Sequence, residues 1–555
     1  MPVDEEPVAR PEKTPGFLQR RSTRRAVVMG TAGIAAAGAT AAVIGLTAEG
    51  GAASPVSGDV ERTALLSTTP AAPATPRPSS TAVVTDARLR AAHLLRRAGF
   101  GGSLAEIEEF AGLSREEAVS QLVDFDQVDN SALDARITAA NFQLTYTASA
   151  RGQLIADMQK WWLTRMAYTA RPLEERLTLI WHSLLTSQIS KIGGQRASWM
   201  VWQNELFRKH AAGRFDDLVQ AVAKDPAMMM YLDSVESSKE HPNENFPREL
   251  MELYTMGEGN YSEDDVRESA RAFTGWRLSR PPFLSREERA KLSDAERLER
   301  QMEIISTYRP DFVFDAREHD SGEKTFLGKT GMFNGEDIIA IIMEQAATGR
   351  YVCARLWSEL AYADPEPELI ERFEGVWKNS GHSIREVVRA ILLSDEFYSE
   401  RAYRGKVRSP VELLVGLVRG TEIDLSRDVA IAGGAARTGR SNFYSGMDQV
   451  LFEPPNVAGW AGGTGWLSSS TFFARANFLD EFLFPRGRGV VTFPALAGLP
   501  ADAMVSAAAD RLVDGDLAAA SRTAISVLVD GIRNPDERAA TAVYLVAASP
   551  EFQLI

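Results

Sequence analysis

Apolar side chains recur along most of the chain at the three- and four-residue spacing of amphipathic α-helices. Between residues 174 and 188, one helical face carries Leu177, Ile180, Trp181, Leu184 and Leu185. A continuous apolar stripe of this kind must be covered by other parts of the protein. The pattern therefore predicts a packed helical body.

Polar residues at the ends of such stripes predict where individual helices start and stop. Ser262 with Asp265 has the spacing of a capping box, and Asn334 with Asp337 starts a further helix that we expect to run to Gly349. These local signals favour a fold that is helical throughout.

Patterns typical of β-strands are scarce. Phe312 and Phe314 alternate with polar neighbours, residues 320–322 can turn, and residues 325–327 can return, which predicts one small hairpin. Residues 286–303 are dense in charged side chains and are expected to form a solvated surface helix. The predicted fold class is therefore all-α: a large, mainly helical single domain with at most a small β-hairpin.

The N-terminal segment has the anatomy of an export signal. Residues 1–25 are hydrophilic and basic, residues 26–46 are uncharged, and Arg24-Arg25 directly precedes the apolar run. We interpret residues 1–53 as a twin-arginine signal peptide, with cleavage before Ser54 or retention as a membrane anchor left open. The expected location is extracytoplasmic, either secreted or in the cell envelope. Contact with a membrane is expected only through this segment, if it stays uncleaved.

The composition changes twice after this segment. Residues 54–85 are rich in Pro, Ala, Ser and Thr and are expected to form a linker, because such a stretch cannot build a core. Residues 86–555 are expected to form the helical domain.

Charge and cysteine content exclude several function classes. The 555 residues include 61 basic and 75 acidic side chains, for a net charge of −14, which argues against a nucleic-acid partner. A single cysteine excludes an internal disulfide and any multi-cysteine metal site. The segment from His319 to Thr330 does not match a phosphate-binding loop, because the spacing between its glycines is one residue too long.

The densest group of polar residues lies between residues 242 and 257. Pro247 suits a helix start and Gly257 a helix stop, and this register places Glu249 at the edge of the apolar stripe and Glu252 further round, beside Arg248. Glu249 is therefore the better candidate for a buried carboxylate.

Two sets of residues form the candidate site. The tentative catalytic residues are Glu249, His319 and Asp320. The tentative binding residues are His182, Asn243, Glu244, Asn245, Arg248, Glu252, Arg271, Trp460 and Trp466. These side chains either converge as acid, base or divalent-metal ligands, or they cap and cross-link packed helices. The two tryptophans either stack on a sugar or pin a long loop to the core.

Six ordered blocks of sequence resemble one bacterial family, domain of unknown function 1800. They are residues 93–101, Trp181-His182, residues 243–253, residues 265–276, His319-Asp320 and residues 454–460. The resemblance covers about residues 86–555 and implies an exported, mainly helical protein; it implies no reaction, because none is established for the family. Pro247 replaces the small residue usual there, and Tyr254 stands where relatives often have histidine, which would weaken any metal site.

Two functions follow as hypotheses. The first is a hydrolase or lyase acting on an envelope polymer, with Glu249 as acid or base and with His319 and Asp320 orienting substrate or binding a divalent metal. The second is a non-enzymatic structural or assembly partner of another exported protein, in which the polar cluster is architecture only.

Overall fold

The structure is a computed structural model that describes residues 84–147, 153–425, 446–485 and 489–555. The predicted signal peptide and almost all of the predicted linker lie outside these residues. Within them the chain is mainly helical, which confirms the predicted all-α class.

The helices follow one another with short connections. The first ten α-helices are α1 (Ala87–Ala98), α2 (Leu104–Ala111), α3 (Arg115–Val123), α4 (Ser131–Ala140), α5 (Leu154–Tyr168), α6 (Pro172–Leu184), α7 (Ile189–Ile192), α8 (Ala197–Lys209), α9 (Phe215–Ala223) and α10 (Pro226–Tyr231). The next eight are α11 (Asn245–Glu249), α12 (Glu263–Ala272), α13 (Arg286–Lys291), α14 (Asp294–Thr307), α15 (Gly335–Met343), α16 (Ala346–Leu360), α17 (Pro367–Asn379) and α18 (Ile384–Leu393). The last six are α19 (Pro410–Thr421), α20 (Ser469–Leu483), α21 (Pro494–Ala497), α22 (Ala501–Val513), α23 (Ala519–Asp530) and α24 (Pro535–Ala547). A π-helix spans Leu250–Thr255, and short 3₁₀ turns lie at Phe125–Gln127, Gly194–Arg196, Ser234–Glu236, Glu396–Tyr398, Gly463–Trp466 and Pro550–Gln553.

The helix starts predicted at Ser262 and Asn334 are confirmed, but the helix stop predicted at Gly349 is wrong. Ser262 with Asp265 and Asn334 with Asp337 both form reciprocal capping boxes. The helix that starts at Asn334 ends at Met343, whereas Gly349 lies inside α16. A side-chain carbon at Gly349 would lie 2.9 Å from the indole of Trp377, so this glycine permits close helix packing rather than ending a helix.

The prediction that β-strands are few is confirmed, but the predicted pairing of those strands is wrong. β1 (Trp276–Leu278) pairs antiparallel with β2 (Phe312–Phe314), and β3 (Lys324–Phe326) pairs antiparallel with β4 (Lys329–Gly331). The predicted hairpin joined the second and third of these strands. The actual partner of β2 lies more than thirty residues upstream, beyond the reach of a local turn signal.

One continuous hydrophobic core joins the helices along the described chain, with Trp162, Trp181, Trp276, Trp357 and Trp377 among its largest fully buried side chains. The charged segment at residues 286–303 forms α13 and most of α14, in which Ser306 is the only buried residue. This confirms the predicted surface position. None of the helices in the described residues has the length and apolar character needed to cross a membrane.

Candidate functional site

Glu249 is the last residue of α11 and directly precedes the π-helix. Helix α11 begins at Asn245, two residues before the expected start at Pro247. The first turn tolerates this proline because an N–H at that position would have no intrahelical acceptor. The helical segment then ends at Gly257, which adopts the positive φ of +79° expected of a helix-ending glycine.

Side chains stabilise the π-helical turn. The wider turn leaves backbone carbonyls without their usual partners, and the Tyr351 hydroxyl donates to the Leu253 carbonyl at 2.6 Å while the Thr255 hydroxyl donates to the Leu250 carbonyl. Single π-turns are frequent at functional sites. This turn moves the residues after Glu249 out of ordinary α-helical register.

Glu249 is half-buried, and its carboxylate forms no hydrogen bond and no ion pair with any described residue. Burial, together with the nearby charge of Glu252, raises the pKa of its carboxyl group against the opposing effect of Arg248. Its position therefore combines partial desolvation with the lack of a partner, a combination that often marks functional carboxylates.

The charge of Glu249 acts on two tyrosines, and we refer to Tyr231, Glu249 and Tyr254 as the tyrosine–glutamate cluster. Burial and the charges of Glu249 and Glu453 raise the pKa of Tyr231 to about 12. Burial and Glu249 also raise the pKa of Tyr254 well above its usual value. Both hydroxyls therefore remain protonated and can donate hydrogen bonds.

The other charged residues of this segment are satisfied by neighbours. Arg248 donates two hydrogen bonds of 2.8 Å to the carboxylate of Glu263 and one of 3.2 Å to Glu244. Glu252 accepts a bond of 2.8 Å from the Tyr261 hydroxyl. The Arg248–Glu263 pair joins α11 to α12, and the Tyr261–Glu252 bond joins the loop before α12 to the π-helix.

Asn243 lies two residues before α11 and Asn245 is its first residue, and both take part in the turn that leads into this helix. Asn243 donates to the Asp233 carbonyl at 3.2 Å and accepts from the backbone N–H of Asn245 at 2.8 Å. The Asn243 backbone N–H in turn donates to the Ser237 hydroxyl at 3.1 Å. The Asn243 side chain therefore has an architectural role in this loop, to which Asn245 contributes its backbone N–H.

His182 lies in an aromatic box near the end of α6. Its ring centroid is 5.3 Å from Trp162, 5.7 Å from Phe452 and 5.4 Å from Trp460. Burial lowers the pKa of His182 to about 3, so the imidazole is neutral at ordinary pH. His182 Nε2 and Trp460 Nε1 are both buried without a hydrogen-bond partner among the described residues.

The long loop before α20 crosses the end of α6. Trp460 and Trp466 are both buried, which agrees with the loop-pinning interpretation. Gly459 has a φ of +84°, and a side-chain carbon there would lie 2.3 Å from the Ser183 carbonyl, so only glycine allows this close approach. The same loop carries Glu453, whose charge contributes to raising the pKa of Tyr231.

His319 and Asp320 form a separate network with α12. Arg271 donates to the two oxygens of Asp320 at 2.7 and 3.3 Å, and the Gly322 N–H donates to the same carboxylate at 2.8 Å. His319 Nδ1 lies 2.9 Å from the Thr274 carbonyl. The hydrogen bond from Arg271 holds the pKa of Asp320 below its usual value.

The predicted site residues therefore divide into three groups. The first is the tyrosine–glutamate cluster around Glu249, the second is His182 with Trp460, and the third is His319 with Asp320 and Arg271. Among the described residues no hydrogen bond, ion pair or ring contact joins Glu249, His182 and His319. The described residues also contain no group of three or more His, Cys, Asp or Glu side chains placed to hold a metal ion.

Asp320 and His319 offer a poor donor set for a divalent cation. Both oxygens of Asp320 already accept N–H groups, and one ring nitrogen of His319 is engaged with the Thr274 carbonyl. A divalent ion prefers several free oxygen ligands.

The sequence pattern missed Tyr231 and Glu453 as site residues. Tyr231 ends a short helix rich in methionine, which looks like ordinary core, and Glu453 carries no motif of its own. A cavity of about 450 Å³ between α5, α6 and α8 was also missed. Its walls include Arg165, Glu174 and Arg208. These residues lie in ordinary amphipathic helices, and no motif in the sequence marks them.

A family model described as "Protein of unknown function (DUF1800)" matches residues 93–554. No curated protein and no solved structure matches the chain.

Proposed function

Because the chain belongs to the DUF1800 family, for which no function is described, we propose from the export signal expected in residues 1–53 and from the surroundings of Glu249 that it is an exported enzyme acting on an envelope polymer through Glu249. The observation that carries this proposal is that Glu249 is half-buried without a partner, while the neighbouring charged residues Arg248, Glu252 and Arg271 are all paired. An unpaired, desolvated carboxylate costs stability, and a protein retains that cost most readily where chemistry requires it.

The raised pKa of Glu249 suits a general acid or base. A carboxyl group with a raised pKa is protonated in a larger fraction of molecules near neutral pH and can give its proton to a leaving oxygen. The ionised form can instead accept a proton from substrate, as a lyase requires. Tyr231 and Tyr254 lie close enough to this carboxyl group for its charge to raise the pKa of both hydroxyls, which stay protonated at neutral pH.

The position of Glu249 favours a polymer over a small molecule. Cavities of about 450, 650 and 770 Å³ lie elsewhere in the described part of the chain, and Glu249 lines none of them. Small-molecule sites normally enclose most of their ligand in a cleft. Glu249 is half-buried and lies outside these three cavities, so we propose an extended chain laid across it as the substrate.

The experiment compares purified wild type with Glu249→Gln on insoluble envelope material. Wild type is expected to release soluble fragments, detected by mass spectrometry, and Glu249→Gln is expected to release none. Glu258→Gln is the matched control, because Glu258 is an exposed carboxylate in the same segment, and it should release fragments at the wild-type rate. Equal release by wild type and Glu249→Gln would contradict the proposal.

The second candidate is the non-enzymatic partner of another exported protein. The local pairing of Arg248, Asn243 and Asp320 favours it, since each of these side chains already has an architectural role. If wild type releases no fragments from envelope material, this candidate replaces the enzyme. Cross-linking in intact cells, followed by identification of the linked protein, then tests it directly.

A further inference from the structure

The cavity between α5, α6 and α8 is lined mostly by charged side chains. Its volume of about 450 Å³ falls in the range of about 300 to 1,000 Å³ that is typical of small-molecule sites. The lining extends from Glu205 and Lys209, which are exposed, to Glu174, which is 9% exposed. The cavity therefore offers a ligand both an entrance from solvent and a buried carboxylate.

The carboxylate of Glu174 has no hydrogen-bond partner among the described residues. Arg171 Nη1 lies 3.9 Å from Glu174 Oε1, which is beyond hydrogen-bond distance. Burial and the like charge of Glu175 raise the pKa of Glu174, and the nearby arginines offset this effect only in part. Buried polar groups in native proteins are normally paired. Glu174 is therefore a buried acceptor for which the described chain supplies no donor.

Arg165 presents free donors to the same cavity. Its Nε donates to Glu175 at 2.8 Å, and its guanidinium group lies over Trp161, 5.6 Å from the ring centroid. Its two terminal nitrogens, Nη1 and Nη2, have no acceptor among the described residues. These two nitrogens form the fork with which arginine binds both oxygens of a carboxylate. The contacts with Glu175 and Trp161 hold the guanidinium group in place before any ligand binds.

The charges around the cavity balance one another. Four lining residues are basic and three are acidic: Arg165, Arg208, Lys209 and Arg385, against Asp126, Glu174 and Glu205. The fully buried Glu175, which accepts hydrogen bonds from Arg165 and Arg208, balances the remaining basic charge. A ligand that is only an anion would be repelled by Glu174, and a ligand that is only a cation would be repelled by Arg165. The lining therefore suits a ligand that carries both charges.

We propose that the cavity between α5, α6 and α8 binds a zwitterion with an ammonium and a carboxylate group, namely a free amino acid or a short peptide. The carboxylate accepts hydrogen bonds from Nη1 and Nη2 of Arg165, and the ammonium group donates to Glu174. A neutral sugar neutralises neither side chain, whereas the two ends of a zwitterion neutralise both. Glu249 does not line this cavity, so the inference is independent of the enzymatic role proposed for Glu249.

The first test titrates the purified whole protein, in a calorimeter, with each of the common neutral amino acids and with the dipeptide alanylalanine. At least one of these probes should bind saturably, with one site per chain. Tighter binding of an amino acid than of the dipeptide identifies free amino acids as the ligand, and the reverse identifies peptides. The absence of saturable binding by every probe overturns the proposal.

The probe that binds most tightly is then compared with its N-acetylated form and with its carboxamide. Each blocked form keeps the same side chain and loses one of the two charged groups. Both should bind at least about tenfold more weakly, because each loses charge-assisted hydrogen bonds. Equal affinity of the N-acetylated form indicates a plain anion site, and equal affinity of the carboxamide indicates a plain cation site. Either result overturns the proposal.

Glu174→Gln and Arg165→Lys should each weaken binding of this probe at least about tenfold. Glu174→Gln is expected to fold, because the carboxylate has no hydrogen bond to lose, and Arg165→Lys keeps a positive charge beside Glu175 but removes the fork. Glu374→Gln is the matched control, because Glu374 is 6% exposed and lies outside the cavity, and it should bind the probe with wild-type affinity. An unchanged affinity in Glu174→Gln overturns the proposal.

A crystal structure of wild type with the bound probe does not depend on whether the variants fold. The carboxylate oxygens of the probe should lie within about 3 Å of Arg165 Nη1 and Nη2, and its ammonium nitrogen within about 3 Å of the Glu174 carboxylate. A probe bound at another place on the protein overturns the proposal.

Discussion

Glu249 and Asp320 differ at the residue scale in a way that can be measured. Asp320 accepts hydrogen bonds from Arg271 and from the backbone N–H of Gly322. Glu249 has no hydrogen-bond or ion-pair partner among the described residues and is repelled by the like charge of Glu252. The pKa of Asp320 is lowered and that of Glu249 is raised. The two carboxylates should therefore respond in opposite directions to neutralisation and to pH.

For Glu249→Gln we expect a free energy of unfolding equal to or slightly above that of wild type at pH 7, within about 0.5 kcal/mol. A carboxyl group with a raised pKa in the folded state stabilises the protein at low pH and loses that contribution as the pH rises through the folded pKa. The advantage of the variant should therefore grow between pH 4 and pH 7. Urea unfolding across this range checks the prediction, and a loss of more than about 1 kcal/mol would instead assign Glu249 a structural role.

For Asp320→Asn we expect a loss of about 1 to 2 kcal/mol at pH 7, because the bonds to Arg271 lose their ionic partner. A carboxyl group with a lowered pKa stabilises the fold above its unfolded pKa of about 3.9, and this contribution is lost as the pH falls. The difference from wild type should therefore shrink towards pH 3. Equal stability of the two proteins at pH 7 would show that the network contributes nothing.

Elements of this fold are shaped by close contacts that local sequence preference does not reveal. The π-helix after Glu249 depends on Tyr351, about a hundred residues away, which bonds to the Leu253 carbonyl. Gly349 and Gly375 both lie inside helices, α16 and α17, where glycine is ordinarily unfavourable. Their surroundings differ, and this difference gives a matched comparison.

Gly349→Ala should destabilise the protein by about 1 to 3 kcal/mol, because the added carbon would lie 2.9 Å from Trp377 and overpack the interface of α16 and α17. Gly375→Ala should stabilise it by about 0.5 to 1 kcal/mol, since nothing lies within 4 Å of the added carbon and alanine is the better helix former. Chemical denaturation of both variants measures the two signs. If both substitutions stabilised the protein, the close packing at Gly349 would not exist in solution.

At the scale of the whole molecule, buried arginines join distant parts of the chain. Arg97 in α1 donates to the Leu360 carbonyl at 2.7 Å, Arg176 pairs with Glu412, and Arg475 donates to the Arg408 carbonyl at 2.7 Å. Such contacts form only when the body is completely folded.

The export prediction concerns residues outside those that the structure describes. Replacing Arg24 and Arg25 together by lysine keeps the charge but removes the arginine pair, and the protein should then accumulate in the cytoplasm. Replacing Arg20 and Arg21 by lysine is the matched control and should leave export intact. Fractionation of cells expressing each variant measures both, and normal export of the Arg24→Lys, Arg25→Lys protein would contradict the twin-arginine interpretation.

The sequence by itself determined the helical class and the start of individual helices. The capping boxes at Ser262 and Asn334 could be predicted because each depends on residues three positions apart, and the charged surface helix could be predicted because its composition offers nothing to bury. The family could also be identified, since its motifs are short and ordered.

Tertiary structure decided the rest, because the deciding partners are far apart in the chain. The partner of β2 is β1 rather than β3, and Gly349 faces Trp377 rather than ending a helix. In the candidate site, the sequence identified Glu249, His182 and Asp320 as candidates. Only the packed fold pairs Asp320 with Arg271 and encloses His182 in aromatic rings. It also leaves Glu249 without a hydrogen-bond partner, within electrostatic range of Tyr231 and Tyr254. Burial and pairing are properties of contacts between elements, and no local pattern of residues encodes them.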